Sequence, residues 1–141
     1  MRNLFALLLL LVTSQTFSQE KSDCDERTLP YWANGINSHI EGEKPALRKA
    51  FAALQATKTG ITPANGFITL RLNISKTGQL CDMETFEIDT HYKSTAFNNG
   101  ELIQELEQIA LGLTNWQRDK AYKTYNLIKF KIKDGRIEEI F

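Results

Sequence analysis

The chain has 141 residues, with 17 basic and 17 acidic side chains and a formal net charge of +0. That length suits one domain with a real core. The charge balance gives no electrostatic reason to expect nucleic acid or an acidic membrane surface as partner, and no low-complexity linker or internal repeat marks a second domain.

Residues 1–18 read as a secretory signal peptide. Arg2 supplies the positive charge, "LFALLLLLV" at 4–12 is an unbroken apolar run, and Thr16 and Ser18 are small residues at positions −3 and −1 ahead of Gln19. The run is too short for a membrane span, which needs roughly 20 apolar residues. "KSD" precedes Cys24, so no lipidation box stands there. The expectation is a periplasmic or secreted chain with no lipid anchor and no membrane span. Removal of Arg2 leaves 16 basic against 17 acidic side chains.

Residues 19–43 read as an irregular arm. "LPYWANG" at 29–35 mixes aromatics with turn residues, and Tyr31 and Trp32 are expected to pack onto the domain through their large apolar area. The domain itself spans 44–141. Its first helix is expected over 44–57, with Pro45 in the first turn and Leu47, Ala50, Phe51 and Leu54 on one face. Gly60, Pro63 and Gly66 then break the pattern.

A half-buried strand is expected over 67–74, where Ile68, Leu70, Leu72 and Ile74 alternate with Thr69, Arg71 and Asn73. "SKTG" closes it as a hairpin with Gly78 at the position that tolerates positive φ. The second strand, over 79–89, slips in parity between Leu80 and Met83. One extra residue near Cys81 or Asp82, a β-bulge, reconciles the two.

After a loop, Asn98 or Asn99 is expected to cap a helix whose stripe is Leu102, Ile103, Leu106, Ile109, Ala110 and Leu113. Trp116 is expected to cover its end. A strand over 123–133 follows, with Ile128, Phe130 and Ile132 alternating with Lys129, Lys131 and Lys133. Asp134–Gly135 then turns the chain into a short last strand. The order helix, strand, strand, helix, strand, strand implies an α+β fold: a two-layer sandwich of two helices on a largely antiparallel sheet of about three to four strands.

Chemistry is sparse in this pattern. Cys24, His39, Cys81 and His91 are the only soft or imidazole ligand candidates, and none lies at metal-binding spacing. A thiol enzyme would pair Cys81 with His91 or His39. Two cysteines in an exported chain favour instead a Cys24–Cys81 disulfide tying the arm to the second strand. No Gly-rich phosphate loop, serine-nucleophile elbow or paired-histidine motif appears, and no cofactor is expected. Lys129, Lys131 and Lys133, with Arg71 nearby, form a basic stripe that reads as the solvent side of an antiparallel sheet. Trp32, Tyr92 and Trp116 are the aromatics that a small-ligand carrier would use.

Taken together, "GFITLRLNISKTGQLCDMETFEI", the helix "ELIQELEQIALGL", "NW" at Asn115–Trp116 and the strand "LIKFKI" resemble the TonB C-terminal domain family, in its exported stand-alone variants of Bacteroidetes type. The resemblance covers residues 66–141. It lacks the proline usual shortly after the tryptophan, as well as the membrane anchor and proline-rich spacer of energy-transducing members. The resemblance implies a non-enzymatic binding module with a link to outer-membrane transport. Its partner would be an envelope protein such as an outer-membrane receptor, docking by strand addition at a sheet edge. The expected edge is that of Tyr125, Leu127, Lys129, Lys131 and Lys133. A fold-back of residues 136–141 onto that strand would block the edge or have to be displaced, so deleting the arm is expected to change partner binding.

Overall fold

A computed structural model describes residues 22–141; the signal-peptide reading of 1–18 lies outside the described residues. The elements are β1 (Leu29–Pro30), β2 (His39–Ile40), α1 (Glu43–Thr57), β3 (Gly66–Ile74), β4 (Leu80–Asp89), α2 (Glu101–Leu111), β5 (Trp116–Gln117), β6 (Thr124–Lys133) and β7 (Arg136–Ile140). The order of the long elements is the expected one. The fold is mixed α+β, with two helices and a sheet of several strands.

That sheet has five strands rather than three to four, in the order β1-β6-β3-β4 with β7 also paired to β6. The arm supplies the extra strand: β1 pairs in parallel with Thr124 and Tyr125 at the start of β6. All other pairings in this sheet are antiparallel. A separate two-stranded pairing joins β2 of the arm to β5. The residues before α1 are therefore tied into the fold through main-chain bonds at both β1 and β2.

Alternation along the strands sorts the two faces. Ile68, Leu70, Leu72, Ile74, Ile128 and Phe130 are fully buried on the face beneath the helices. Leu47 and Phe51 of α1, with Leu102, Leu106 and Ala110 of α2, close the same core. Phe51 meets Phe130 edge to face, with centroids 4.9 Å apart, the geometry that aromatic quadrupoles prefer. Each such side chain, moved out of water, contributes about 1.5–3 kcal/mol. The opposite face of the sheet carries no helix among the described residues and presents Thr69, Arg71, Glu84, Phe86, Tyr125 and Lys129.

Gly66 stands at the entry to β3 with φ +153°. A Cβ there would lie 2.3 Å from the Ile88 carbonyl oxygen and 2.7 Å from Phe97 Cζ, so only glycine lets β4 and Phe97 close over this position. The hairpin that follows contains the expected bulge. Asn73 faces Asp82 but Ile74 faces Leu80, which leaves Cys81 as the extra residue of β4.

The cap of α2 differs from expectation. Asn98 and Asn99 both have left-handed backbone, and Gly100, at φ 87°, is the N-cap with no side-chain bond. Asn98 Oδ1 instead accepts the Thr62 main-chain N–H at 2.9 Å, so the asparagine fastens the loop before β3 rather than the helix. At the same end of the sheet, where Ile132 faces Gly66, Asp134 and Gly135 have φ of 50° and 73°, the left-handed pair of a tight hairpin turn.

Candidate partner-binding edge

The outward-facing side of β6, expected to receive a partner, is largely occupied. β7 covers Phe130, Ile132 and their neighbours, and Lys129 exchanges both main-chain bonds with Phe141 at 2.8 and 3.0 Å. At the other end β1 covers Thr124 and Tyr125. Of the expected edge, Tyr125, Lys129, Lys131 and Lys133 thus already face a strand, and Leu127 sits in the gap. β7 is not a detachable flap, because Ile137 and Ile140 are 3% and 2% exposed in the core. Deleting residues 136–141 would remove core as well as cover, so that deletion cannot report on the edge alone.

Two lysines of the stripe are also engaged. Lys131 Nζ lies 2.8 Å and Lys133 Nζ 3.4 Å from the Glu138 carboxylate. The hydrogen bond and charge of Lys131 hold the Glu138 carboxyl below the usual range, and Glu138 in turn raises Lys131. Sequence reading placed the lysines on the solvent face but missed this partner, although Glu138 follows directly in the returning strand.

The free edge of the sheet is β4. Main-chain direction alternates along a strand, so the outward bonds of Lys129 determine the rest. Even-numbered residues of β6 bond β3, odd-numbered residues of β3 bond β4, and Met83, Thr85 and Glu87 of β4 point their main-chain groups away from the sheet. At the far end this edge is closed by a loop: the Glu87 carbonyl accepts Thr95 N–H at 3.1 Å and Asp89 N–H meets the Lys93 carbonyl at 2.9 Å. Met83 and Thr85 have no such cover among the described residues. Acidic side chains at Asp82 and Glu84 mark the open face of this edge, beside Phe86 at 52% exposure.

The bridge between Cys24 and Cys81 is formed, with Cα atoms 5.5 Å apart and a sequence separation of 57. A bonded sulfur is neither a thiolate nor a metal ligand, so Cys81 offers no nucleophile while the bridge stands. The bulge turns Cys81 out of the ladder and toward the arm. Ion pairs from Lys76 to Glu26 at 2.7 Å and to Asp23 at 3.6 Å fasten the same segment to the hairpin, and this pairing raises the Lys76 pKa.

The bridged arm carries Tyr31 and Trp32 onto the open face. Their rings and that of Tyr125 meet edge to face, with centroids 5.0, 6.2 and 6.2 Å apart. Arg71 lies 4.1 Å above the Tyr125 ring, a cation–π contact, and its Nε is 3.2 Å from Glu84. Trp32 is nevertheless 64% exposed. The three aromatics considered for a small-ligand carrier are not brought together. Trp32 stands on the open face and Tyr92 is at an exposed loop tip. Trp116 is buried against the core, its Nε1 donating to the Leu113 carbonyl at 3.1 Å. The Tyr92 loop is shaped by Asp89, whose carboxylate accepts the Lys93 and His91 N–H groups at 3.0 and 2.8 Å. Those bonds lower its pKa.

No protein-family model, curated protein or solved structure matches the chain. The class that the fold and bridge define is an α+β domain stapled by a disulfide, a bond that belongs to oxidising compartments such as the periplasm or the cell exterior. No helix of the described residues is long and apolar enough to cross a membrane.

Proposed function

We propose that this chain is a non-enzymatic, exported protein-binding module of TonB C-terminal type. It takes an extended segment of an envelope protein, such as an outer-membrane receptor, as an added strand. The observation that carries this reading is the outer side of β4, uncovered among the described residues, where Met83 and Thr85 present N–H and C=O groups with no partner among those residues. Such an edge pairs readily with an incoming strand. The docking edge is thus β4 rather than β6, whose outer side β1 and β7 take up. Asp82 and Glu84 favour a partner strand with basic residues opposite them, and Phe86 offers an exposed aromatic contact.

Photocrosslinking in the native envelope tests this. A benzophenone amino acid in place of Phe86 should give a discrete adduct with an envelope protein. The same group in place of Tyr122, which is exposed elsewhere, should not. Thr85→Pro, which removes an outward N–H, should reduce the Phe86 adduct at least severalfold while the far-UV spectrum is kept. An adduct equally strong from Tyr122, or one untouched by Thr85→Pro, overturns strand addition at β4.

A further inference from the structure

The strand register sets out a pattern on the helix-free face of the sheet. Phe86 and Lys129 flank Thr69, while Glu84 and Leu127 flank Arg71. These four residues are the corners of a near-square, about 9.6 Å across the strands and about 6.8 Å along them. Phe86 and Leu127 stand on one diagonal, and Glu84 and Lys129 on the other. Phe86 is mostly exposed and Leu127 half-buried.

The charged diagonal has free groups at both ends. Lys131 and Lys133 are held by Glu138, whereas Lys129 has no carboxylate partner among the described residues. Glu84 takes its own-chain contacts on Oε2, from Arg71 Nε and Asn73 Nδ2 at 3.2 Å each. Its Oε1 has no partner among the described residues. The two corners lie about 12 Å apart, too far for Lys129 and Glu84 of one chain to meet.

We infer that this face pairs with the same face of a second copy, about a two-fold axis lying along the Phe86–Leu127 diagonal. Such an axis sets Phe86 against Phe86 and Leu127 against Leu127. It also brings each Glu84 to within about 4 Å of the second copy's Lys129, measured in the plane of the sheets. The strands of the two sheets then cross about 70° apart, near the orthogonal class of sheet packing. Tyr125 follows Leu127 on this face of β6 and Trp32 stands beside it, so both extend the apolar seam. The occupant is a second copy because the pattern is self-complementary: the operation that returns the apolar corners to themselves exchanges opposite charges. A formal net charge of +0 adds no long-range repulsion between copies. Three strands by seven residues, roughly 14 by 24 Å, put the pair among small, reversible complexes. The pairing uses a sheet face and does not rest on strand addition at β4.

Sedimentation equilibrium of the purified chain should show a weight-average mass rising from one chain toward two, with Kd of about 10–500 μM. Lys129→Glu leaves acids at both charged corners, and Glu84→Lys leaves bases at both. Each variant alone should therefore pair at least tenfold more weakly. An equimolar mixture of the two sets acids against bases at all four contacts and should pair at least as tightly as the wild type. If Glu84→Lys fails to fold beside Arg71, Glu84→Gln serves, and its mixture with Lys129→Glu should pair better than Lys129→Glu with itself. A benzophenone amino acid in place of Phe86 should give, in the isolated protein, an adduct of twice the chain mass, and in place of Tyr122 none. A mass that stays at one chain up to about 1 mM, or a mixture that pairs no better than its components, would overturn the proposal. A monomeric chain that still gives the envelope adduct from Phe86 would sink the pairing and leave docking at β4 standing. A self-pairing chain without that adduct would support the pairing and sink the docking alone.

Discussion

Removing the Cys24–Cys81 bridge should lower stability by an amount that the sequence separation determines. The bridge closes a loop of 57 residues of separation. In the chain-entropy account such a closure takes about 4 kcal/mol from the unfolded ensemble at 25 °C. For a domain of this size each kcal/mol moves Tm by about 4 °C, so the double variant Cys24→Ala/Cys81→Ala should melt roughly 15 °C lower. Strain relieved on cleavage would bring the drop down toward half that. The native arm should stay docked below Tm, because Leu29 N–H still bonds the Lys123 carbonyl at 2.9 Å. Lys76 also still meets Glu26 at 2.7 Å. Thermal unfolding followed by far-UV circular dichroism, with and without reductant, measures the drop, and tryptophan emission reports whether Trp32 leaves the sheet. Mass spectrometry fixes the redox state by a shift of two hydrogens. A Tm change under about 4 °C with both thiols alkylated would refute the reasoning. The arm would then be held by its strand pairing and ion pairs alone.

Phe51→Ala empties the ring that stacks on Phe130 in a fully buried site and should cost about 3–5 kcal/mol, read from urea unfolding with an unchanged m-value. Gly66→Ala drives a Cβ against the Ile88 carbonyl and should cost about 1–3 kcal/mol or more, with the largest amide shifts at Ile88, Asp89 and Phe97. Ser38→Ala strips the donor from buried Asn126 Oδ1 and should cost about 1–3 kcal/mol, again by urea unfolding. Because Glu138 has its pKa depressed by Lys131, its contribution is present above its unfolded pKa and is lost as pH falls through the lower folded value. An NMR titration should place its midpoint below that of a free glutamate, and Lys131→Ala should move it back up.

The linear pattern reached far into this fold because two periodicities dominate it. The stripe of α2 and the alternation in β3 and β6 each come from one element facing one core, so spacing alone declares them. The bulge was legible for the same reason: Leu80 and Met83 must both face inward, and strand parity allows that only with an extra residue. The α2 cap was misread because asparagine serves both caps and left-handed turns, and the choice was made by Thr62, distant in sequence. Tyr31 and Trp32, expected to pack on the domain, both meet Tyr125 edge to face, but Trp32 stays 64% exposed. Tyr125 lies on a strand that only the assembled sheet brings beside the arm.

By itself the sequence determined the long elements, the faces they bury and the bulge, since local propensity and hydrophobic period act over a few residues, and the presence of only two cysteines left one pairing open to them. Which sheet edge stays open was decided only by tertiary structure. Main-chain N–H and C=O groups are the same at every residue, so no side-chain pattern marks whether they find a partner. The arm's β1 and the returning β7 close the outer side of β6 at both ends, leave the gap at Leu127, and pass the role of free edge to β4.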